Sequence, residues 1–271
     1  GNRVCDTYND NLMEVCQMSL FDLNGRVAII TGGNGGIGLG MALGLANSGA
    51  SIAIVGRNSE KNKTASKKLE ATGVSVIAIK KDVTNDSAGT EVATEVHDKF
   101  GRIDILINNA GSNIRKRPED LSLEEFKWVQ DTNLTSAFVF SQAMYPYFKK
   151  AGAGKIINIG SMYSLFGGPV STAYSVSKGG MVQMTKSMAA AWGTDKIQVN
   201  AVLPGWIDTE LTRTAREQID GLYEKQLARI PDGRWGTTED HAGIAVFLAS
   251  NASIYITGTA IPVDGGFSIS G

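Results

Sequence analysis

Cysteine is almost missing from this chain. It has two, Cys5 and Cys16, both in the first 16 of 271 residues. Neither a disulfide framework nor a cysteine-held metal can organise the rest. Histidine is as scarce: His97 and His241 stand far apart, without neighbouring ligands, and read as packing residues. No metal site is expected. His-Glu-x-x-His and Gly-x-Ser-x-Gly do not occur, which removes the signatures of metalloproteases and serine hydrolases. Charge of one sign is not in excess; 26 Lys and Arg against 27 Asp and Glu leave a net charge of −1. That balance argues against nucleic acid or an anionic membrane as partner. No apolar run approaches the ~20 residues that span a bilayer. The N-terminus lacks the basic-then-apolar pattern of a secretory signal. A cytoplasmic protein is the expectation. Residues 1–19 are polar and read as a tail or expression remnant, with Met18 a natural start. No Pro-, Ser- or Gly-rich linker divides residues 20–271, which read as one domain.

What is present is alternation. Short apolar runs expected as strands (27–30, 51–55, 74–79, 103–107, 155–159, 197–202 and 259–263) alternate with longer amphipathic runs. Helices are expected at 36–47, 59–71, 87–100 (with Gly101 as C-cap), 123–132, 136–149, 172–192 and 239–249. Continuous apolar strands between helices imply a parallel sheet covered on both faces, an α/β fold of Rossmann type, doubly wound with seven strands. Residues 208–229 are polar and helix-prone, and read as a lid inserted near 206–230.

Two constellations carry chemistry. Thr31-Gly32-Gly33-Asn34-Gly35-Gly36-Ile37-Gly38 joins the first strand to the first helix. Glycines there permit a tight turn and a close approach of backbone to a pyrophosphate at a helix N-terminus. Further on, Tyr174 and Lys178 stand four apart on one helix and share a face. Asn133 and Ser161 precede them. A phenol with a free pKa of about 10 is a poor base near neutrality. A cation at ~5 Å favours phenolate by roughly 3 kcal/mol at an effective dielectric of ~20. Lys178 is expected to be that cation and to lower the phenol pKa by about two.

The Thr-Gly-x3-Gly-x-Gly spacing resembles the short-chain dehydrogenase/reductase family, and the resemblance runs from about Leu20 to Phe267. Asn108-Asn109-Ala110-Gly111, Asp82-Val83, and Pro204-Gly205 followed by Ile207 and Thr209 are similar to that family's motifs. The resemblance implies that Gly32, Asn34, Gly36, Ile37, Gly38, Arg57, Asp82, Val83, Asn109, Ala110, Gly111, Tyr174, Lys178, Pro204, Gly205, Ile207 and Thr209 hold a nicotinamide dinucleotide. Asp82 would lie near the adenine and Thr209 at the carboxamide. It further implies that Tyr174 is the general acid/base, that Ser161 binds the substrate oxygen, and that Lys178 meets the nicotinamide ribose. Asn133 would hold a water linking Lys178 to solvent. The second strand ends Val55-Gly56-Arg57, with no acid to repel a 2′-phosphate and a guanidinium fork suited to one. NADP(H) is therefore preferred, with NAD(H) possible.

The loop after Gly111 carries Arg115-Lys116-Arg117. It resembles the gluconate 5-dehydrogenase and 2-deoxygluconate dehydrogenase group, and Arg115 or Arg117 could receive the carboxylate of a sugar acid. A sugar acid or polyol is the expected substrate. The alternatives are a 3-oxoacyl thioester reductase, a glucose 1-dehydrogenase or another carbonyl reductase. A dinucleotide-binding sensor without turnover would be expected to lose Tyr174 or Lys178, and both are kept. Gly179-Gly180 within a long helix suggests close helix approach, and the family commonly forms homotetramers through this helix and the last strand.

Overall fold

The computed structural model describes residues 20–270; the expected tail, with Cys5, Cys16 and Met18, lies outside them. Strands and helices alternate, with two helices between the fourth and fifth strands and three between the sixth and seventh. They are β1 (Val27–Thr31), α1 (Gly36–Asn47), β2 (Ser51–Gly56), α2 (Ser59–Glu70), β3 (Val76–Lys80), α3 (Ala88–Phe100) and β4 (Ile105–Asn108). Then come α4 (Leu123–Gln130), α5 (Ser136–Ala151), β5 (Gly154–Ile159), α6 (Thr172–Trp192) and β6 (Ile197–Pro204). The chain ends with α7 (Glu210–Gln218), α8 (Leu222–Leu227), α9 (Ala242–Ala249) and β7 (Ala260–Val263).

All seven strands pair in parallel, in the order β3-β2-β1-β4-β5-β6-β7. Strand side chains alternate between two apolar layers. Ala28, Ile30, Ile52, Ile54, Ile105 and Ile107 pack under α1, α2 and α9. Val27, Ile29, Ala53, Val55 and Leu106 pack under α3, α5 and α6. Each fully buried Ile or Leu contributes roughly 1.5–3 kcal/mol, so neither face of the sheet can be left open to water.

Where element bounds differ from expectation, side chains have replaced ladder bonds. β4 starts at Ile105 rather than Ile103. The Asp104 carboxylate accepts the Val27 N–H at 2.9 Å and is gripped twice by Arg102, at 2.7 and 2.9 Å. β3 starts at Val76, because Gly73, at φ 90°, turns the chain before it joins the edge. The expected break between the two middle helices is not a break. Asp131–Thr135 forms a π turn that joins α4 to α5. The 208–229 segment is two helices, parted at Gly221 with φ 67°. Of the paired glycines in α6, Gly180 is filled from within the chain: a Cβ there would meet Leu134 Cδ2 at 2.7 Å. Gly179 faces open space.

The strand order reverses at β1, which has β2 on one side and β4 on the other. In such sheets the crevice for ligands lies beyond the carboxyl ends at this point. Register brings Thr31 beside Asn108 and Asn108 beside Asn158. The loops after β1, β4, β5 and β6 therefore open on one edge.

Candidate active site

The loop between β1 and α1 is held from across the crevice. The Thr31 hydroxyl accepts the N–H groups of Asn109 and Ala110 at 3.0 and 3.1 Å. The Asn109 amide donates to the carbonyls of Thr31 and Gly32, both at 3.1 Å. This stitch explains Gly38: a Cβ there would lie 2.4 Å from Asn109 Nδ2. Gly32 and Gly36 take positive φ, 64° and 51°, where a side chain is strained. Ile37 is half-buried against the core. Gly35, the N-cap of helix α1, offers no side-chain cap, and the first turn has no acid. Its N–H groups stand ready for an anion. This cradle of bare backbone fits the pyrophosphate of a dinucleotide.

The far end of the crevice carries the residues expected near an adenosine. Arg57 follows β2, is 64% exposed and reaches Asp82 at 3.5 Å. Burial pushes the Asp82 carboxyl up, but hydrogen bonds from Thr84 and the charge of Arg57 together hold it below its usual value. Val83 is buried in the core beside it. The Asn34 amide turns away from the loop and donates to Asn62 Oδ1 at 2.7 Å. Asn62 in turn donates to the Gly56 carbonyl at 3.0 Å. Asn62 was not expected here; it lies in a polar helix, where one more Asn gives no signal.

The residues expected to serve proton transfer sit at the crevice centre. Ser161 caps a short turn, Met162–Ser164, after β5, and its hydroxyl oxygen accepts the Tyr163 N–H at 3.2 Å. The Ser164 hydroxyl accepts the Ser161 N–H at 3.1 Å and donates to the Lys178 carbonyl at 2.7 Å. This locks the turn to α6. Lys178 is 3% exposed and donates to the Ile159 carbonyl at 2.7 Å. Its amine lies over the Tyr174 ring, 5.6 Å from the centroid. Asn133, fully buried in the π turn, donates to the Ser112 carbonyl and the Ser177 hydroxyl, and its Oδ1 accepts the Ser112 N–H. Its Oδ1 and the Lys178 amine flank Gly111, 3.3 and 3.5 Å from where a Cβ would stand.

The electrostatics add one group to the sequence expectation. Burial lowers the Lys178 amine to about 8. Burial raises the Tyr174 phenol above its usual value, and Ser161 and Arg115 pull against that rise. The Lys178 amine donates to a carbonyl, and the charge of Arg115, on the loop after β4, also bears on the phenol.

That loop separates its basic residues. Arg117 is exposed and pairs with Glu119 at 2.5 Å; Lys116 pairs with Glu125 at 2.5 Å. Arg115 is half-buried and faces the site, donating at 3.4 Å to the Leu211 carbonyl and to Gln218 Oε1 of α7. On the opposite wall, β6 ends at Pro204. A Cβ on Gly205 would meet Asp264 Cα at 2.6 Å. Ile207 is buried and bridges to Gly236. Thr209 caps α7 and lies against Gly36, 3.6 Å from where its Cβ would be. The expected residues thus converge on one crevice, except Arg117. Thr31, Ser164 and Ser177 support them unforeseen; Thr31, directly before the first motif glycine, was the one with a signal to read.

Among the described residues no group of three or more His, Cys, Asp or Glu could hold a metal. No helix among them is long and apolar enough to cross a membrane.

A family model described as enoyl-(acyl carrier protein) reductase matches residues 32–268. Gluconate 5-dehydrogenase from Gluconobacter oxydans is 38% identical over 252 residues, covering 93% of this chain and 98% of the relative. The 2-dehydro-3-deoxy-D-gluconate 5-dehydrogenase of Dickeya dadantii is 40% identical over 253 residues, covering 92% and 98%. A gluconate 5-dehydrogenase from Burkholderia cenocepacia, solved in complex with NADP and tartrate, superposes with a TM-score of 0.89 at 36% identity. The match covers 94% of this chain and all of that one.

Proposed function

Because the chain belongs to the short-chain dehydrogenase/reductase family, we propose that it is an NADP(H)-preferring oxidoreductase of sugar acids, interconverting a secondary alcohol and its ketone. The observation that carries this reading is the position of Arg115: half-buried against α7, with a carbonyl and an amide oxygen and no carboxylate as partners, its charge bearing on Tyr174. A carboxylate in the substrate would complete it. The names of the relatives point the same way.

The uncapped start of α1 would hold the pyrophosphate. Arg57 would take the 2′-phosphate, Lys178 the nicotinamide ribose, and Thr209 the carboxamide. When bound, the nicotinamide supplies or accepts the hydride. The remaining chemistry belongs to the protein. In oxidation the Tyr174 phenolate takes the proton of the substrate hydroxyl; in reduction the phenol returns it. Ser161 donates to the same oxygen and holds the reacting carbon in line. Ser161 and Arg115 favour the phenolate against burial. Asn133, with both amide hydrogens committed to Ser112 and Ser177, would hold a water through a remaining acceptor, in a turn widened by one residue. The helix pair α7–α8 acts as a lid, closed by the Arg115 contacts.

The test is a screen of aldonates, ketoaldonates, neutral polyols and acetoacetyl thioester with both cofactors. Turnover of an aldonate or ketoaldonate with NADP(H) ahead of NAD(H) is expected. Preference for a neutral polyol or a thioester sinks the substrate reading. Arg57→Ala should weaken NADP(H) by roughly 1.5–3 kcal/mol, the range for a hydrogen bond to a charged group, and hardly affect NAD(H).

A further inference from the structure

Tyr163 has no part in the roles above, yet few side chains in the crevice are held so firmly. Its N–H is taken by the Ser161 hydroxyl, and its turn is tied to the carbonyl of Lys178 through Ser164. Its ring rests on Gly168, where a Cβ would lie 2.7 Å from Cε1. The ring meets Tyr174 edge-on, at 88° with centroids 6.1 Å apart. These contacts fix the ring and leave the hydroxyl at its tip free: no hydrogen bond from the described residues takes it up. Burial raises the phenol, and the charge of Arg115 opposes the rise, as it does for Tyr174. The loop that carries Arg115 is pinned against the segment that follows this turn: the Lys116 N–H donates to the Val170 carbonyl at 3.0 Å, and Lys116 bridges to Ser171. A rigid phenol with an unused donor, half-buried beside an arginine, is the chemistry of an anion site.

We propose that Tyr163 is a substrate-binding residue that, with Arg115, forms a two-donor clamp for the carboxylate of a sugar acid and turns the reacting carbon toward Tyr174. The clamp rests on the sugar-acid reading. It goes further by placing the carboxylate between the loop after β4 and the turn after β5.

Tyr163→Phe in the whole enzyme removes the hydroxyl and keeps the ring on Gly168. With NADP present, the Kd for tartrate by calorimetry should rise roughly tenfold or more, as for one hydrogen bond to a charged group. KM for an aldonate should rise in proportion. kcat should stay within about threefold, with its pH profile unmoved and KM for a neutral polyol unaltered. Gly168→Ala keeps the hydroxyl but displaces the ring, and should weaken tartrate in the same direction. Unchanged tartrate affinity, or an equal rise in KM for the polyol, overturns the clamp. So does a fall in kcat with a shifted pH profile, which would mean that Tyr163 acts on Tyr174 instead. A wild-type enzyme that neither binds tartrate nor turns over aldonates overturns the sugar-acid reading and the clamp together. Wild-type aldonate activity with an indifferent Tyr163→Phe overturns the clamp alone.

Discussion

Tyr174 is the residue on which the proposed chemistry turns. Tyr174→Phe keeps the ring that packs against Tyr163 and removes the proposed proton donor. Turnover should fall below a few per cent while the Kd for cofactor, read by fluorescence, hardly moves. Arg115 gives a finer test. Its cation favours phenolate, so Arg115→Ala should raise the Tyr174 pKa. The basic rise in kcat for oxidation should then move to higher pH, with a raised KM for aldonates; an unmoved profile denies that Arg115 acts on the phenol. At this scale sequence reading identified which residues meet but did not foresee that the charge of Arg115 also bears on the phenol. Residue types and spacing bring Tyr174 and Lys178 onto one face. The direction of the Lys178 amine depends on the Ile159 carbonyl, which belongs to another element and leaves no trace in spacing.

Among the elements, the π turn between α4 and α5 does the most for the site. It buries Asn133, whose amide satisfies Ser112 and Ser177. Asn133→Ala should cost about 1–3 kcal/mol in urea unfolding, because those buried groups lose their partner, and should lower activity as well. Strand β5 carries a different liability. Lys155 is 4% exposed, with Ser253 as its side-chain partner, and burial lowers its amine to about 8. Between pH 8 and 10.5 the unfolded chain keeps a proton that the folded chain has released, so stability should rise with pH across that window. Below 8 the folded state carries the cost of a buried charge. Lys155→Met should therefore raise stability at pH 7 by on the order of 3 kcal/mol and flatten the rise, leaving the part due to Lys178. Urea midpoints at pH 7 and 10 decide it. The strands and helices were legible from apolar period; their ends were not, because Asp104 and the π turn substitute side-chain and widened bonds for regular ones.

At the scale of the whole molecule, two groups among the uncovered apolar side chains of the described residues bear on assembly. Trp128, Phe138 and Val176 are exposed along α4, α5 and α6, and Ile254, Tyr255 and Ile269 are exposed around β7. The open Gly179 lies on the first of these helical faces. Both regions match the surfaces on which a homotetramer was expected, and we propose that assembly. Light scattering should report the mass of four 28.8 kDa chains, and Phe138→Lys should reduce it. An unchanged monomer mass in the wild type would refute the tetramer. The single domain and its parallel sheet were legible because both layers are continuous in sequence period. Assembly was legible only as an analogy, since one chain's pattern does not say what covers an exposed face.

The tie from Ser164 to the Lys178 carbonyl has a consequence for how such an enzyme can change. Ser161, Tyr174 and Lys178 are fixed to one another by the sheet and α6, without help from α7 or α8. Arg115 is instead fastened to α7, by a carbonyl and one glutamine. In the proposed function, proton transfer and substrate choice then meet at one residue, Arg115. Grafting a relative's residues 206–230, with its matching loop after β4, should redirect the substrate range, and the pH optimum should stay in place only where the graft keeps an arginine at 115.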